Sequence, residues 1–452
     1  MMMTLSQVAL WAKGAQFGTD IQLTGVSTDT RTLKEGDLFI ALQGENFDGH
    51  DFLAAAQAAG ASAALVSQQQ DIFEHGVQVA DSTMALGYLA AAWAQSCDAH
   101  PIAITGNSGK TTVKEMVAHL LSEQPGLATF GNFNNEIGVP LTLLRLTPEH
   151  QYGVYELGAN HKGEIAWTAS LVQPEIGVIT NVTGAHLEGF GSLEGIAAAK
   201  AELISALTPQ SVVVLNQEGG FYDVFKAHAE RQQVPVVRVS ITDKSADYFA
   251  DDICIAASGT KFVCHHQEQT FPIHVSLPGE HQVANALQAI AVARHYKVNW
   301  QHIQTSLAQL DGVPGRLQLK PCGKGVVIDD TYNANPGSVA AALEFLIKQP
   351  GPHLFAFGGI GELGEASHRE HRRVGELARK LGVEVLITVG ELPLPAAEAF
   401  GEGALQCPTT NDVAPFAIST LAQGGTVLVK GSRSTTMETV VAALLAHQQE
   451  AH

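Results

Sequence analysis

Thr105-Gly106-Asn107-Ser108-Gly109-Lys110-Thr111-Thr112 decides the fold of this 452-residue chain. The apolar run Pro101-Ile102-Ala103-Ile104 precedes it and reads as a buried strand. Val113, Met116, Val117, Leu120 and Leu121 follow on one face of a helix. Strand, glycine-rich turn, Lys-Thr and helix in that order make a phosphate-binding loop. Its glycines let backbone N–H groups close around phosphate oxygens, and the helix N-terminus adds positive potential. Lys110 is placed to reach the β- and γ-phosphates of ATP or GTP, and the Thr111 hydroxyl to bind Mg²⁺. In the commoner spacing, G-x-x-x-x-G-K-[ST], the first glycine would fall at Ile104; here it is Gly106. The displaced glycine points to a specialised branch of nucleotide enzymes.

Outward from the loop the chain divides into three α/β blocks. Residues 1–97 carry Val26-Ser27-Thr28-Asp29-Thr30-Arg31, the strand Asp37–Leu42, a polar loop from Gly44 to Asp51, an Ala-rich helix and the strand Ala63–Val66. Residues 98–313 open with the phosphate loop. They continue with short strands at Tyr152–Leu157, Ile176–Thr180 and Val212–Leu215, the βαβ rhythm of a mostly parallel sheet. Residues 247–276 read differently, as an antiparallel insertion around a tight turn. Residues 314–452, after a linker near Val313-Pro314-Gly315-Arg316, alternate strands and helices again, a Rossmann-like doubly wound domain.

The net charge of −19 sets aside nucleic acid or an anionic membrane surface as the main partner. Five scattered cysteines without a C-x-x-C pair suggest neither a zinc site nor a disulfide framework and fit reduced thiols in the cytoplasm. No signal peptide or membrane-spanning run is expected, and nothing argues for a stable oligomer, so a monomer is expected.

Three side chains could complete a catalytic site. Glu156 ends a strand, where ligand sites of open α/β sheets lie; it is either a Mg²⁺ ligand or a solvated strand-end acid. His186 follows the next strand, at the same sheet edge, as a metal ligand, an acid–base group or a structural histidine. Lys200 lies in the middle of the apolar face made by Ile196, Leu203 and Leu207. It either snorkels to water or is a desolvated amine able to react with CO₂. The string Gly359-Ile360-Gly361-Glu362-Leu363-Gly364 matches the dinucleotide pattern G-x-G-x-x-G. The acid that should follow it is poorly placed, with Glu384 too early and Glu391 beyond, which argues against NAD(P).

Together these pieces resemble the Mur ligases, the ATP-dependent amino-acid ligases of peptidoglycan precursor synthesis. The late-glycine loop carries the resemblance, with Asn134-Asn135-Glu136-Ile137-Gly138-Val139-Pro140, the Glu156 segment, Ala185-His186-Leu187-Glu188, Lys200-Ala201-Glu202, Pro278-Gly279-Glu280-His281 and Pro314-Gly315-Arg316. Asp329-Asp330-Thr331-Tyr332-Asn333-Ala334-Asn335-Pro336 and Lys430-Gly431-Ser432-Arg433-Ser434, with Met437-Glu438, resemble the branch that adds D-alanyl-D-alanine. The branch that adds the third amino acid typically carries D-N-P-R or D-N-P-A, and neither string occurs here. Where the family usually has Gly-Asp-Met before Glu-Leu-Gly, this chain has Gly358-Gly359-Ile360, so the role of that acid is not carried over.

The resemblance implies a ligase using ATP and Mg²⁺ on two partners, a UDP-N-acetylmuramoyl-tripeptide and D-Ala-D-Ala. It implies Gly106, Asn107, Ser108, Gly109, Lys110, Thr111 and Thr112 around ATP, with Asn285 at adenine and Arg316, Asp329 and Asn335 reaching over from the linker and third block. Mg²⁺ would use Thr111, Glu156, His186 and a carbamylated Lys200. Lys110, Asn135, His186 and Lys200 are its catalytic candidates. Ser27, Asp29, Arg31, Gly44, Asp48 and His50 would hold the UDP end; Lys430, Ser432 and Arg433 the dipeptide. Rival readings are a ligase for the third amino acid, a folylpolyglutamate synthase, or a nucleotide-binding module without catalysis.

Overall fold

The computed structural model describes residues 3–44, 47–182, 190–256, 258–310, 312 and 315–450. Three main sheets follow one another along the chain, each with helices between its strands. The first has five strands in the order Ala15–Phe17, Gly76–Gln78, Ala63–Val66, Asp37–Ile40, Gly25–Ser27. All neighbours are parallel except the first pair. A two-stranded ribbon, Met3–Thr4 with Gln22–Leu23, lies beside it in sequence.

The central sheet has nine strands. Its order is Gln269–Val275, Gly259–His266, Tyr248–Ala256, Val236–Ser240, Val212–Asn216, Ile176–Ile179, His100–Thr105, Tyr152–Glu156, Gly126–Ala128. The expected antiparallel insertion is present, but it is not a separate ribbon. Tyr248–Ala256 pairs parallel with Val236–Ser240, so the insertion prolongs the main sheet. Side chains alternate between the two faces, as the period of two requires. Ile102, Ile104, Val154 and Val178 enter the apolar layer under helices Lys110–Leu120 and His281–His295. Ala103, Tyr155, Ile179 and Leu215 enter the opposite layer. A sheet covered on both faces produces the near-continuous apolar strands seen in the sequence.

The third sheet runs Gln318–Cys322, Gly325–Asp330, Thr426–Lys430, His353–Phe357, Val385–Val389, Ala404–Cys407. Only the first pair is antiparallel. It too is covered on both faces, by Ile328, Phe355 and Leu428 on one side and Val327, Leu354 and Val427 on the other.

The first block does not close on itself. Helix Ser82–Gln95 packs into a core that continues into the central block. Trp93 donates from Nε1 to the Leu146 carbonyl at 3.0 Å. Gly87 admits the Trp167 ring, which a Cβ there would meet at 2.6 Å.

Candidate active site

Sheet order builds the site. Strand His100–Thr105 lies between Ile176–Ile179 and Tyr152–Glu156, so the phosphate loop, Thr180 and Glu156 emerge at one edge. Gly109, at φ +82°, turns the chain into helix Lys110–Leu120; a Cβ there would meet Asn285 Oδ1 at 2.6 Å. Gly106 similarly leaves no room for a Cβ against Thr180 Oγ1. The loop is clamped from the next strand. Thr180 Oγ1 and Asn181 Nδ2 both donate to the Ser108 carbonyl, at 2.6 and 3.0 Å, and Ser108 N donates to Asn181 Oδ1 at 3.0 Å. Lys110 folds across the loop, donating to the carbonyls of Gly106 (2.9 Å) and Asn107 (3.3 Å). Burial lowers its pKa; Glu156 opposes that shift and Arg316 adds to it.

Thr111 and Glu156 are 5% and 2% exposed, so neither is the solvated strand-end group that Glu156 could have been. Thr111 Oγ1 donates to Glu156 Oε2 at 2.8 Å, and Asn134 Nδ2 to Oε1 at 2.9 Å. From the linker, Arg316 Nη2 donates to Thr111 Oγ1 at 2.8 Å while its guanidinium lies 4.3 Å from the Tyr332 ring centre. Arg316 Nε is buried with no protein acceptor, a donor left for an anion. A hydroxyl and a carboxylate are hard oxygen donors and suit Mg²⁺. Among the described residues no three His, Cys, Asp or Glu side chains cluster as metal ligands. These residues fit both groups.

Lys200 lies on helix Leu193–Ser205, whose N-cap Ser192 accepts from Gly195 N at 3.1 Å. It is 2% exposed, so the snorkelling alternative does not hold. Its Nζ sits 5.7 Å from the centre of the Phe190 ring. Burial, aided by the nearby Lys110 charge and opposed by Glu202 and Glu164, pushes its pKa down to about 7. His186 lies outside the described residues, as do Val313 and Pro314 of the linker.

The third block touches the loop directly. Asn335 Nδ2 donates to Ser108 Oγ at 3.0 Å, while Asn335 Oδ1 caps helix Pro336–Leu346. Asp329 is held by Lys320 Nζ (2.6 Å) and Thr331 Oγ1 (2.7 Å). Lys430, 1% exposed, is paired to Asp330 Oδ2 at 2.7 Å and donates to the Asn333 carbonyl at 2.8 Å. Ser432 is buried, whereas Arg433 is exposed and paired to Glu438 at 2.9 Å.

Two groups of candidates are occupied by local structure. Asn135 Oδ1 accepts from Gly138 N at 2.9 Å and so fixes the entry to helix Gly138–Leu143; its neighbour Asn134 is the one that reaches Glu156. In the first block Asp29 and Arg31 form a forked ion pair, with Nη2–Oδ2 at 2.7 Å. Arg31 holds the Asp29 carboxyl down at about 2. Ser27 Oγ donates to the Asp29 carbonyl at 2.9 Å. His50 Nε2 accepts from Ser67 N at 3.1 Å, so its proton is on Nδ1 and is donated to Asp48 at 2.6 Å. Gly44 N donates to the Phe47 carbonyl at 2.9 Å, closing that loop. Asn134, Thr180, Asn181 and Tyr332 were missed as site residues; Thr180-Asn181 carries the readable signal, a polar pair directly after a parallel strand.

Three family models match the chain. The Mur ligase middle domain matches residues 104–293, the Mur ligase glutamate ligase domain matches 315–433, and a Mur ligase family catalytic domain matches 22–97. The chain is 42% identical to the UDP-N-acetylmuramoyl-tripeptide–D-alanyl-D-alanine ligase of Escherichia coli (strain K12), over 98% of each chain. It is 37% identical to the ligase of that name from Haemophilus influenzae, over 94% of each. Its fold superposes on a crystal structure of MurF from Acinetobacter baumannii with a TM-score of 0.92, at 36% identity over 99% of both chains. The MurF ligase of Thermotoga maritima in complex with ADP gives 0.85 at 26% identity, over 95% of this chain and 98% of that one. A likeness of this extent at both levels has one meaning: the chain belongs to the Mur ligase family.

Proposed function

We infer that this chain is an ATP-dependent ligase that joins D-alanyl-D-alanine to a UDP-N-acetylmuramoyl-tripeptide. The full-length likeness to relatives of that name supports the substrates. One observation supports the chemistry: Lys110, Thr111, Glu156 and the linker's Arg316 converge on a single buried edge.

ATP lies along Gly106–Thr112, with its phosphates under the loop N–H groups and Lys110. The tripeptide's terminal carboxylate attacks the γ-phosphorus; the bond to the ADP oxygen breaks and an acyl phosphate forms. Two anions must meet, and Lys110 and Arg316 offset their repulsion. Thr111, Glu156, His186 and a carbamylated Lys200 would hold Mg²⁺, which would supply further charge neutralisation when bound. The dipeptide amine then attacks the acyl carbon, loses a proton, and phosphate leaves. A Lys200 pKa near 7 keeps much of its amine uncharged at neutral pH, the form that adds CO₂. Asn285, which lies against the loop at Gly109, is assigned to adenine, and Asn335, which bonds Ser108, to the nucleotide.

Residues 1–97 hold the UDP end, 98–313 the ATP, and 314–452 the dipeptide through Lys430, Ser432 and Arg433. Arg31 exchanges its ion pair with Asp29 for the pyrophosphate, beside the Gly44–His50 loop. The third domain closes on the central one and keeps water from the acyl phosphate. One chain supplies every assigned residue, so a monomer suffices. Among the described residues no helix is long and apolar enough to cross a membrane; the reaction is assigned to the cytoplasm, where ATP is available. Phosphate release is the test. It should require both UDP-tripeptide and D-Ala-D-Ala; release indifferent to the dipeptide would end this reading.

A further inference from the structure

The loop that follows strand Gly126–Ala128 carries two side chains the chemistry above leaves unused. Phe130 and Phe133 are 68% and 44% exposed. Among the described residues, every other phenylalanine of the central block is buried or half-buried. Exposed rings on a slack loop would mean little, but this loop is pinned. Lys114, buried on helix Lys110–Leu120, donates from Nζ to the Thr129 carbonyl at 2.6 Å. Thr129 Oγ1 accepts from Glu156 N at 3.0 Å, and Asn134 Nδ2 donates to Glu156 Oε1 at 2.9 Å. The Asn134 carbonyl accepts from Gly158 N at 2.8 Å. Between these anchors Phe133 N donates to the Phe130 carbonyl at 3.2 Å, closing a turn in which Gly131 takes φ +54°. The bare Cα of Gly138 lets the Phe133 backbone pack against it.

A rigid turn therefore holds two phenyl rings in water, bonded on one side to the Glu156 backbone N–H and on the other to the Glu156 carboxylate, beside which the acyl phosphate forms. Apolar area kept exposed by fixed structure marks a surface awaiting a partner. We propose that Phe130 and Phe133 form a preformed apolar wall for the aliphatic stem of the tripeptide's third residue, and so determine specificity at that position. The inference rests on the ligase reading above. That reading brings the third residue's carboxylate to the Thr111–Glu156 edge. The side chain leaves the carbon next to that carboxylate, so its methylenes fall beside whatever borders Glu156, which is this loop. Neither ring carries charge, so the wall senses the length of the stem and not the group at its end.

The experiment compares kcat/KM for UDP-tripeptides ending in a long-stemmed residue (lysine or diaminopimelate) with one ending in alanine. The enzymes are the unsubstituted chain, Phe130→Ser, Phe133→Ser and the double variant. The ratio of long to short should fall roughly tenfold in the double variant, the scale of a lost methylene-sized contact. KM for ATP and for D-Ala-D-Ala should stay within about twofold, since neither touches the wall. An equal fall for both peptides would overturn the proposal. So would a change centred on ATP or the dipeptide, which would mean the rings meet the nucleotide side or another domain. ADP binding and thermal melting report folding; should Phe133→Ser fail to fold, the more exposed Phe130→Ser carries the same comparison. If the unsubstituted chain forms no product, the ligase reading falls and takes this one with it. If that chain is active and the ratio does not move, the wall alone is wrong.

Discussion

Two glycine-rich loops leave the ends of parallel strands in this molecule, and only one is built for phosphate. Gly106–Thr112 runs straight into helix Lys110–Leu120, with Gly109 as N-cap. Gly359–Gly364 instead continues into a short turn at Gly364–Ala366, and its helix begins at Ser367. There the Ile360 N–H, which a phosphate would need, already donates to His371 Nε2 at 3.0 Å, and His371 Nδ1 donates to the Ser367 carbonyl at 2.7 Å. Each loop also has a buried lysine beside it. Lys430 is matched by the Asp330 carboxylate at 2.7 Å and is structurally committed. Lys200 lies 5.7 Å from the centre of a phenyl ring, and burial together with the Lys110 charge lowers its pKa to about 7. Glycine spacing alone thus specifies little. What the following residues do with the freed N–H groups, and which charges are left unmatched, decides function.

The sharpest break between the two loops is at Lys110. Lys110→Ala should lower kcat on the order of 10³-fold in a phosphate-release assay, the loss expected when a main electrostatic stabiliser of a charged transition state is removed. A loss below tenfold would put both loops in one class. Next in size is Lys200→Ala, which should cost about 10²-fold or more, in the range of metal-site positioning groups. Added bicarbonate should not restore activity, whereas a short-chain carboxylic acid should restore part of it. Activity near that of the parent would return Lys200 to a packing role.

His371→Ala addresses the second loop and should act on stability, not on turnover. Leaving the buried Ile360 N–H unpaired should cost about 1–3 kcal/mol in urea unfolding, with ADP affinity retained. The same residue predicts a pH effect. Burial lowers the His371 pKa, so the folded state resists its protonation. Its contribution is complete above the ordinary value near 6.5 and is lost as pH falls through the lowered folded value. The parent should therefore lose stability on acidification more steeply than the variant; equal slopes would remove His371 from the account.

Gly359 shows where the resemblance and this chain part. Its φ is +91°, and a Cβ there would meet Leu392 at 3.1 Å and His371 Nε2 at 3.3 Å. A glycine relieves this backbone conformation, and the G-x-G-x-x-G match is its by-product. Sequence reasoning recovered the phosphate loop and Glu156 because both are written as strand-end signals with a fixed period. It favoured Asn135 over Asn134 because neighbours in a loop have no period to separate them; only the turn from Phe130 to Phe133 determines which amide reaches Glu156. The burial of Lys200 was half legible. Its place on the apolar face followed from helical spacing, but whether the ammonium reached water depended on the layer packed above it.

By itself the sequence determined three α/β blocks, a nucleotide loop with its lysine and threonine, and a ligase family, since these depend on local periodicity and short motifs. Tertiary structure alone decided which charges meet. Arg316 and Thr111 lie 205 positions apart and Asn335 and Ser108 lie 227 apart. Their bonds exist only because sheet order and packed helices return distant chain to one edge, and no local pattern encodes that return.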